Sequence, residues 1–319
     1  MAQTSPTLMV PIIVETHGDM VVECQEGTRV CRFRTSKEAL SKRSPVFAEL
    51  IRNSVQNGSR PRTIHVQEDL EDMQNLLLAL HKDPVSVDRI FHTDSLYRLA
   101  RLSQTYKCQF AIQPALENWS LHVLCRASYP KVTTQASMVV IAFLAGMNEW
   151  FGQATRYVLM NWNGGFRELF EDRHEGIIPD SISAEMETRR RTIRDKIRVG
   201  IMTARIETSS WPNTQPLSGH LHELLIEDRY YTGDQSVGES VSSLTRFLAR
   251  TRIEMMMQGY PVRPDTASDL PPYCQRISAL LDEVNSLSEA FELPLENRID
   301  AEEAPDETRS AVVINVNQA

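Results

Sequence analysis

The sequence predicts a small α+β domain, short strands with a helical cluster, followed by an all-α helical region. Three observations carry that expectation. Alternating runs at 20–24 and 30–34 flank Gln25, Glu26, Gly27 and Thr28, the pattern of a hairpin with half-buried strands. From Asp69 the apolar spacing changes to three and four, with Met73, Leu76, Leu77 and Leu80 in one stripe, as one face of a helix requires. From Gln135 onward the helical period continues nearly throughout.

Composition narrows the function classes. The chain has 319 residues, enough for two or three domains of roughly 100–200 residues each. Its apolar content of 41% and charged content of 24% are ordinary for a globular protein. The net charge of −8 disfavours a general nucleic-acid surface and leaves room only for a local basic patch. No apolar run approaches the roughly 20 residues of a membrane helix, so no membrane partner is expected. The apolar cluster near the start lacks a basic flank and is interrupted by Pro11, which argues against a signal peptide. Cys24, Cys31, Cys108, Cys125 and Cys274 have no short paired spacing. They read as reduced thiols of a cytoplasmic or nuclear protein.

Residues 1–15 read as an N-terminal arm. Pro11 within the run 8–14 suits an edge strand, because it has no N–H to give to a ladder. Leu8, Met9, Ile12 and Ile13 form an apolar edge that something should cover. They either pack on their own domain or complete a homodimer as a swapped strand, and both readings stay open. In the second strand of the hairpin, Cys31 and Phe33 point one way and Arg32 and Arg34 the other.

The stretch 33–50, FRTSKEALSKRSPVFAEL, ends that strand and begins two short helices. Thr35 and Glu38 have the spacing of a capping box, and Ser44 followed by Pro45 is a second helix start. Helices this short must dock on something larger. Phe47 and Leu50 on the second therefore join the arm residues as candidate partner contacts. A polar loop with Gly58 and Pro61 leads to a third strand at 63–67, and the expected sheet has non-parallel strands. A loop at 81–93 precedes a helix capped by Asp94, and a further stripe of Ile112, Leu116, Trp119 and Val123 follows.

Residues 138–150 are apolar almost all round, as in a buried helix. Residues 154–160 continue it or partner it, up to Asn163, Gly164 and Gly165. Pro179 opens a helix with Ile182, Met186, Ile193, Ile197 and Ile201 inward. A linker is expected at 213–216, helices around 221–225, 241–248 and 277–291, a separating segment at 261–272, and a disordered tail at 300–319. Ile277, Leu280, Val284, Leu287 and Phe291 have coiled-coil spacing over only two heptads, so a bundle helix is the expectation.

Catalytic and metal chemistry find no support in the motifs. Metal ligation needs Cys or His at short spacing, and His220 and His222 are two apart, which on a helix places them on different faces. Neither a nucleophile elbow nor a glycine-rich phosphate loop occurs among the 13 glycines. Glu68, Asp69, Glu71 and Asp72 sit at a helix start, where negative charge offsets the dipole. No catalytic residue, cofactor site or metal site is therefore assigned. The basic run at 187–198 suits an import signal or a nucleic-acid patch. The spacings Glu185–Arg189 and Glu187–Arg191 favour a solvated helix face with internal ion pairs.

One resemblance sharpens this reading. The run Ala39 to Leu50, A-L-S-K-R-S-P-V-F-A-E-L, resembles the "L-S-x-x-S-P-V-F" segment of BTB/POZ domains, most closely the fungal ones. Gly18 to Val22 resembles that family's first strand, and Ile64 to Asp69 its third strand and acidic helix start. Leu76 to His81 matches "LL-x-x-LH", Leu99 to Cys108 resembles "LA-x-LADKY-x-C", and Trp119 stands at the family's helix tryptophan. The likeness covers about residues 14–123 and continues loosely through Ile141–Gly146 and Ala154–Arg156. Phe33-Arg34 and the ending SQTYKC depart from the family's pattern.

The resemblance implies a non-catalytic protein–protein interaction module that self-associates and recruits partners. The domains are then an arm at 1–15, the BTB/POZ domain at 16–128, a helical region at 129–212, a second at 213–299 and a tail at 300–319. It also implies alternatives, a cullin-scaffold adaptor of a ubiquitin ligase or a nuclear transcription-associated protein. The loop at 83–89, DPVSVDR, lacks the apolar-x-Glu signature of the adaptors. An enzyme in the helical half is the reading from a different class.

Overall fold

The computed structural model describes residues 7–8, 10–54, 62–82, 91–126, 131–174, 177–208, 237, 245 and 272–289. The described residues fall into two compact units, one running to Asn148 and one beginning at Glu149.

The first unit is α+β. Strands β3 (Met20–Glu26) and β4 (Arg29–Thr35) form an antiparallel hairpin with Cys24 opposite Cys31. Its two-residue tip places Gly27 at φ 58°, a backbone conformation that glycine adopts without a Cβ penalty. Along β4, Cys31, Phe33 and Thr35 are buried while Arg32 and Arg34 face solvent. Strands β1 (Thr7–Leu8) and β2 (Ile12–Ile13) both run parallel to β4, and β5 (Arg62–Val66) runs parallel to β3. The strand order is β1–β4–β3–β5, with β2 sharing the β4 edge.

Two expectations are corrected here. The sheet is mixed, because α1 (Lys37–Arg43) and α2 (Pro45–Asn53) form the long connection that lets β5 return parallel to β3. The arm makes two two-residue strands, since Pro11 between them cannot donate to β4. The approach of the arm to the hairpin is tight at Gly18, where a Cβ would lie 2.5 Å from the Thr35 carbonyl oxygen.

The helix starts follow the local signals closely, with exceptions that tertiary contacts explain. Ser36 caps α1, its Oγ accepting from the Ala39 N–H, and Asp19 Oδ1 accepts from the Lys37 N–H. Thr35 does not cap, because it ends β4 with its side chain inside the core. Ser44 caps α2 as expected, accepting from the Phe47 N–H at 3.0 Å. Its own N–H donates to the Leu40 carbonyl and its hydroxyl to the Tyr106 carbonyl at 2.6 Å. One serine thus closes α1, opens α2 and ties both to the end of α4 (Thr93–Thr105). Asp69 caps α3 (Leu70–His81), accepting from the Asp72 N–H. Asp94 lies within the first turn of α4, and the N-cap is His92 with no side-chain bond. Negative charge still favours that end.

Helix α4 ends on Lys107 at φ 49°. The Cys108 and Lys107 N–H groups donate back to the carbonyls of Ser103 and Gln104, a Schellman closure with lysine where glycine is usual. Helix α5 (Gln109–Arg126) follows, then α6 (Val132–Ala145). The single helix expected at 138–150 is broken by Gly146 at φ 73°, whose neighbour Met147 donates to the Ala142 carbonyl. Gln113 and Gln104 hold the last carbonyls of α6. The first unit therefore extends to Asn148. In its core Phe47 stacks on Tyr106 with ring centres 4.5 Å apart, and Phe91 on Trp119 at 4.0 Å. Burying each such ring contributes about 1.5–3 kcal/mol.

The second unit is helical throughout its described part. Helix α7 (Asn148–Asn161) stops before Asn163, Gly164 and Gly165, and α8 (Phe166–His174) begins directly after them. Helix α9 (Asp180–Thr208) buries Ile182, Met186, Ile193 and Ile197. It packs on α10 (Pro272–Glu289), which buries Ile277, Leu280 and Val284. At Gly200 the helices approach so closely that a Cβ would meet Leu280 Cδ2 at 2.4 Å. Met9, the loop residues Gly58 and Pro61, the 83–89 loop, the linker at 213–216 and the tail at 300–319 lie outside the described residues. So do Phe291, the helix expected at 221–225, that at 241–248 except position 245, and the segment 261–271.

The basic run on α9 is only partly a solvated face. Arg189 pairs with Glu185 as the spacing predicts, at 2.7 Å. Glu187 pairs with Arg190, three residues on, at 2.6 Å, rather than with Arg191. Arg190 is buried, donating to the carbonyls of Trp162 (3.0 Å) and Gly164 (2.7 Å) with its guanidinium 4.3 Å above the Phe166 ring. Glu187 Oε1 accepts from the Phe166 N–H at 3.0 Å. This pair is the clasp that fixes the α7–α8 turn to α9.

Candidate interaction surface

The arm residues lie along one edge of the sheet. Ile12 is in register with Phe33 and Ile13 with Arg34, and the Val14 and Glu15 N–H groups both donate to the Arg34 carbonyl. Leu8 is in backbone register with Val30. The pairing is to the chain's own β4, and it buries Val14 completely. Ile12 is half-buried, while Val10 and Ile13 are 83% and 61% exposed. The edge therefore presents apolar side chains to solvent even after the arm has docked. Phe47 is fully buried against Tyr106 and offers no surface, and Leu50 on the same helix is half-buried.

A second feature has no contiguous signal in the sequence. A groove of about 720 Å³ opens between α1, the end of α3 and the start of α5. Its charged wall is Lys42, Arg43, Lys82 and Lys107, and its apolar wall includes Phe110, Ala111 and Pro114. Phe110 is 74% exposed. Among the described residues no carboxylate lines the groove. The lysines escaped notice because they are 25 to 65 positions apart in the chain; a shared place near helix C-termini is the one local signal that links them.

The groove's histidine is not a free ligand. His81 Nδ1–H donates to the Leu77 carbonyl at 2.8 Å and Nε2 accepts the Ser36 N–H at 3.1 Å. That pair of partners requires the neutral ring, and burial, aided by the Arg43 guanidinium, holds its pKa below the usual 6.5. The other buried titratable groups are also tied into the core. Tyr106 donates to Glu68 Oε1 and the Cys24 thiol to the Glu68 carbonyl, both at 3.3 Å. Burial raises the Glu68 carboxyl and pushes Cys24 and Cys108 up to about 12, so both thiols stay protonated and unreactive at neutral pH. Asp72, raised mainly by burial, accepts both its bonds from Arg98 Nε at 2.9 Å.

Among the described residues no group of three or more His, Cys, Asp or Glu is placed to hold a metal ion. No described helix is long and apolar enough to cross a membrane. The described residues of the first unit thus include an apolar sheet edge and a cationic groove with an aromatic wall. No family model matches this chain, and neither does any curated protein or solved structure.

Proposed function

We propose that this chain is a BTB/POZ-type interaction module that self-associates and recruits partner proteins without catalysing a reaction. The observation that carries the reading is the sheet edge, where Val10 and Ile13 remain exposed beside strands of only two residues. Two-residue strands and Pro11 already blunt the backbone of that edge, so it is the exposed apolar side chains of Val10 and Ile13 that call for a cover, and a second copy supplies a self-complementary one. The order of elements supports the reading too: a hairpin, two short helices opened by Ser36 and Ser44, a parallel strand and three helices. Sedimentation equilibrium of the full chain tests it. The wild-type chain is expected to dimerise, and Val10→Glu with Ile13→Glu to raise the dissociation constant. Burying one isoleucine is worth about 1.5–3 kcal/mol, so the loss is roughly ten- to hundredfold. A monomeric wild-type chain, or a dimer that the double variant leaves intact, overturns the sheet edge as the interface.

A further inference from the structure

We infer that the groove between α1, α3 and α5 docks a short acidic segment of a partner protein, one that carries an apolar side chain beside its carboxylates. This surface is separate from the sheet edge, and a monomeric chain would carry it equally.

The charge balance points to an anionic occupant. Three of the five lysines in the first unit, Lys42, Lys82 and Lys107, line this one groove. Among the described residues none of them has a carboxylate partner. Elsewhere in the chain cations are commonly paired: Arg29 with Glu26, Arg32 with Glu23, Arg98 with Asp72, Lys196 with Glu283. Helix ends explain part of the clustering. Lys42 is in the last turn of α1, Lys82 is the C-cap of α3, and Lys107 follows α4. Each helix end supplies about half a negative charge, so three ends offset roughly one and a half units. Three ammonium groups and Arg43, whose guanidinium donates to the Leu80 carbonyl at the end of α3, leave a clear positive excess. That excess sits on a chain whose net charge is −8.

The apolar wall narrows the chemistry further. Phe110 stands exposed on the same groove, next to Ala111 and Pro114. A bare anion has no use for that surface. A nucleic-acid strand calls for a longer track of cations than four side chains provide, and the chain's overall charge repels it. A peptide with two or three carboxylates and one apolar residue satisfies both walls, in the manner of acidic-motif recognition by basic clusters.

Fluorescence anisotropy on the full chain tests the inference, with a fluorescein-labelled pentapeptide Asp-Glu-Leu-Asp-Glu as probe. Saturable binding is expected, weakened by salt and weakened about tenfold by Lys42→Glu, Lys82→Glu and Lys107→Glu combined. Phe110→Ala, or glycine in place of the peptide's leucine, should each weaken binding several-fold at constant salt. If the triple variant melts early, the double variant Lys42→Glu and Lys82→Glu, which leaves the α4–α5 turn intact, must show the same loss. Absence of saturable binding, or binding that the variants leave unchanged, overturns the inference. Tighter lysine-dependent binding of a single-stranded oligothymidylate also overturns it, in favour of nucleic acid. A peptide signal that appears only when Asp300, Glu302, Glu303, Asp306 and Glu307 are replaced by their amides overturns the separate partner, because the chain's own acidic end then fills the groove.

Discussion

Replacing Ser44 with alanine should cost far more than an ordinary helix cap. Its hydroxyl accepts from the Phe47 N–H and donates to the Tyr106 carbonyl at 2.6 Å, and the residue is almost wholly buried. Loss of the cap alone is worth about 1 kcal/mol, within a range of roughly 0.5–2. Leaving a buried carbonyl without its donor adds about 1–3 kcal/mol, since water does not reach it. The sum is about 3 kcal/mol, which for a unit of this size lowers the thermal midpoint by roughly 10 °C. Ser36→Ala is the internal control. Ser36 also caps a helix, but Asp19 holds the neighbouring Lys37 N–H, so its loss should cost about 1 kcal/mol or less. Urea unfolding followed by tryptophan fluorescence and far-UV dichroism gives both values as shifts in midpoint at constant slope. Equal costs for the two variants would refute the claim that Ser44 joins three helices.

In the second unit, Arg190→Met removes the clasp on the α7–α8 turn. It strands two carbonyls and leaves Glu187 without its cation, for a loss of roughly 2–4 kcal/mol. Arg190→Lys should recover little, because one ammonium cannot reproduce the planar fork. Amide exchange at Phe166 is the readout, and wild-type protection in either variant would count against the clasp. His81 makes stability depend on pH in a defined direction. Its folded pKa lies below the unfolded value of 6.5, so the unfolded chain takes up a proton that the folded chain refuses. Stability should be level above about pH 6.5 and fall as the pH drops from there toward the folded pKa. NMR titration of the His81 ring checks this, and a midpoint at or above 6.5 would contradict it.

Much of the local structure was legible because its causes lie within one turn of the residue concerned. Ser44 and Pro45 start α2, Asp69 starts α3, and the alternation around Phe33 gives the inward face of β4. Thr35 departs from its local signal for the opposite reason. As a capping residue it is as good as Ser36, and only its pairing opposite Met20 takes it into the sheet. The break at Gly146 is not legible in the apolar pattern, because such a run reads as continuous whether one helix buries it or two do. Arg190 looked like any other member of a basic run, since its carbonyl partners are 26 and 28 residues away.

The interaction surface divides along the same line. By itself the sequence determined that an apolar arm precedes the hairpin and that two short helices carry the cluster of Phe47 and Leu50. It also set the balance of polar and apolar residues that makes the first part α+β and the rest helical. Those properties follow from side-chain chemistry, period and turn residues along the chain. Tertiary structure alone decided that Phe47 goes inside against Tyr106 while Ile13 stays out, and that Lys42, Lys82, Lys107 and Phe110 meet at one groove. Exposure and charge convergence are properties of what the chain packs against, and contacts between residues dozens of positions apart leave no period in the sequence to read.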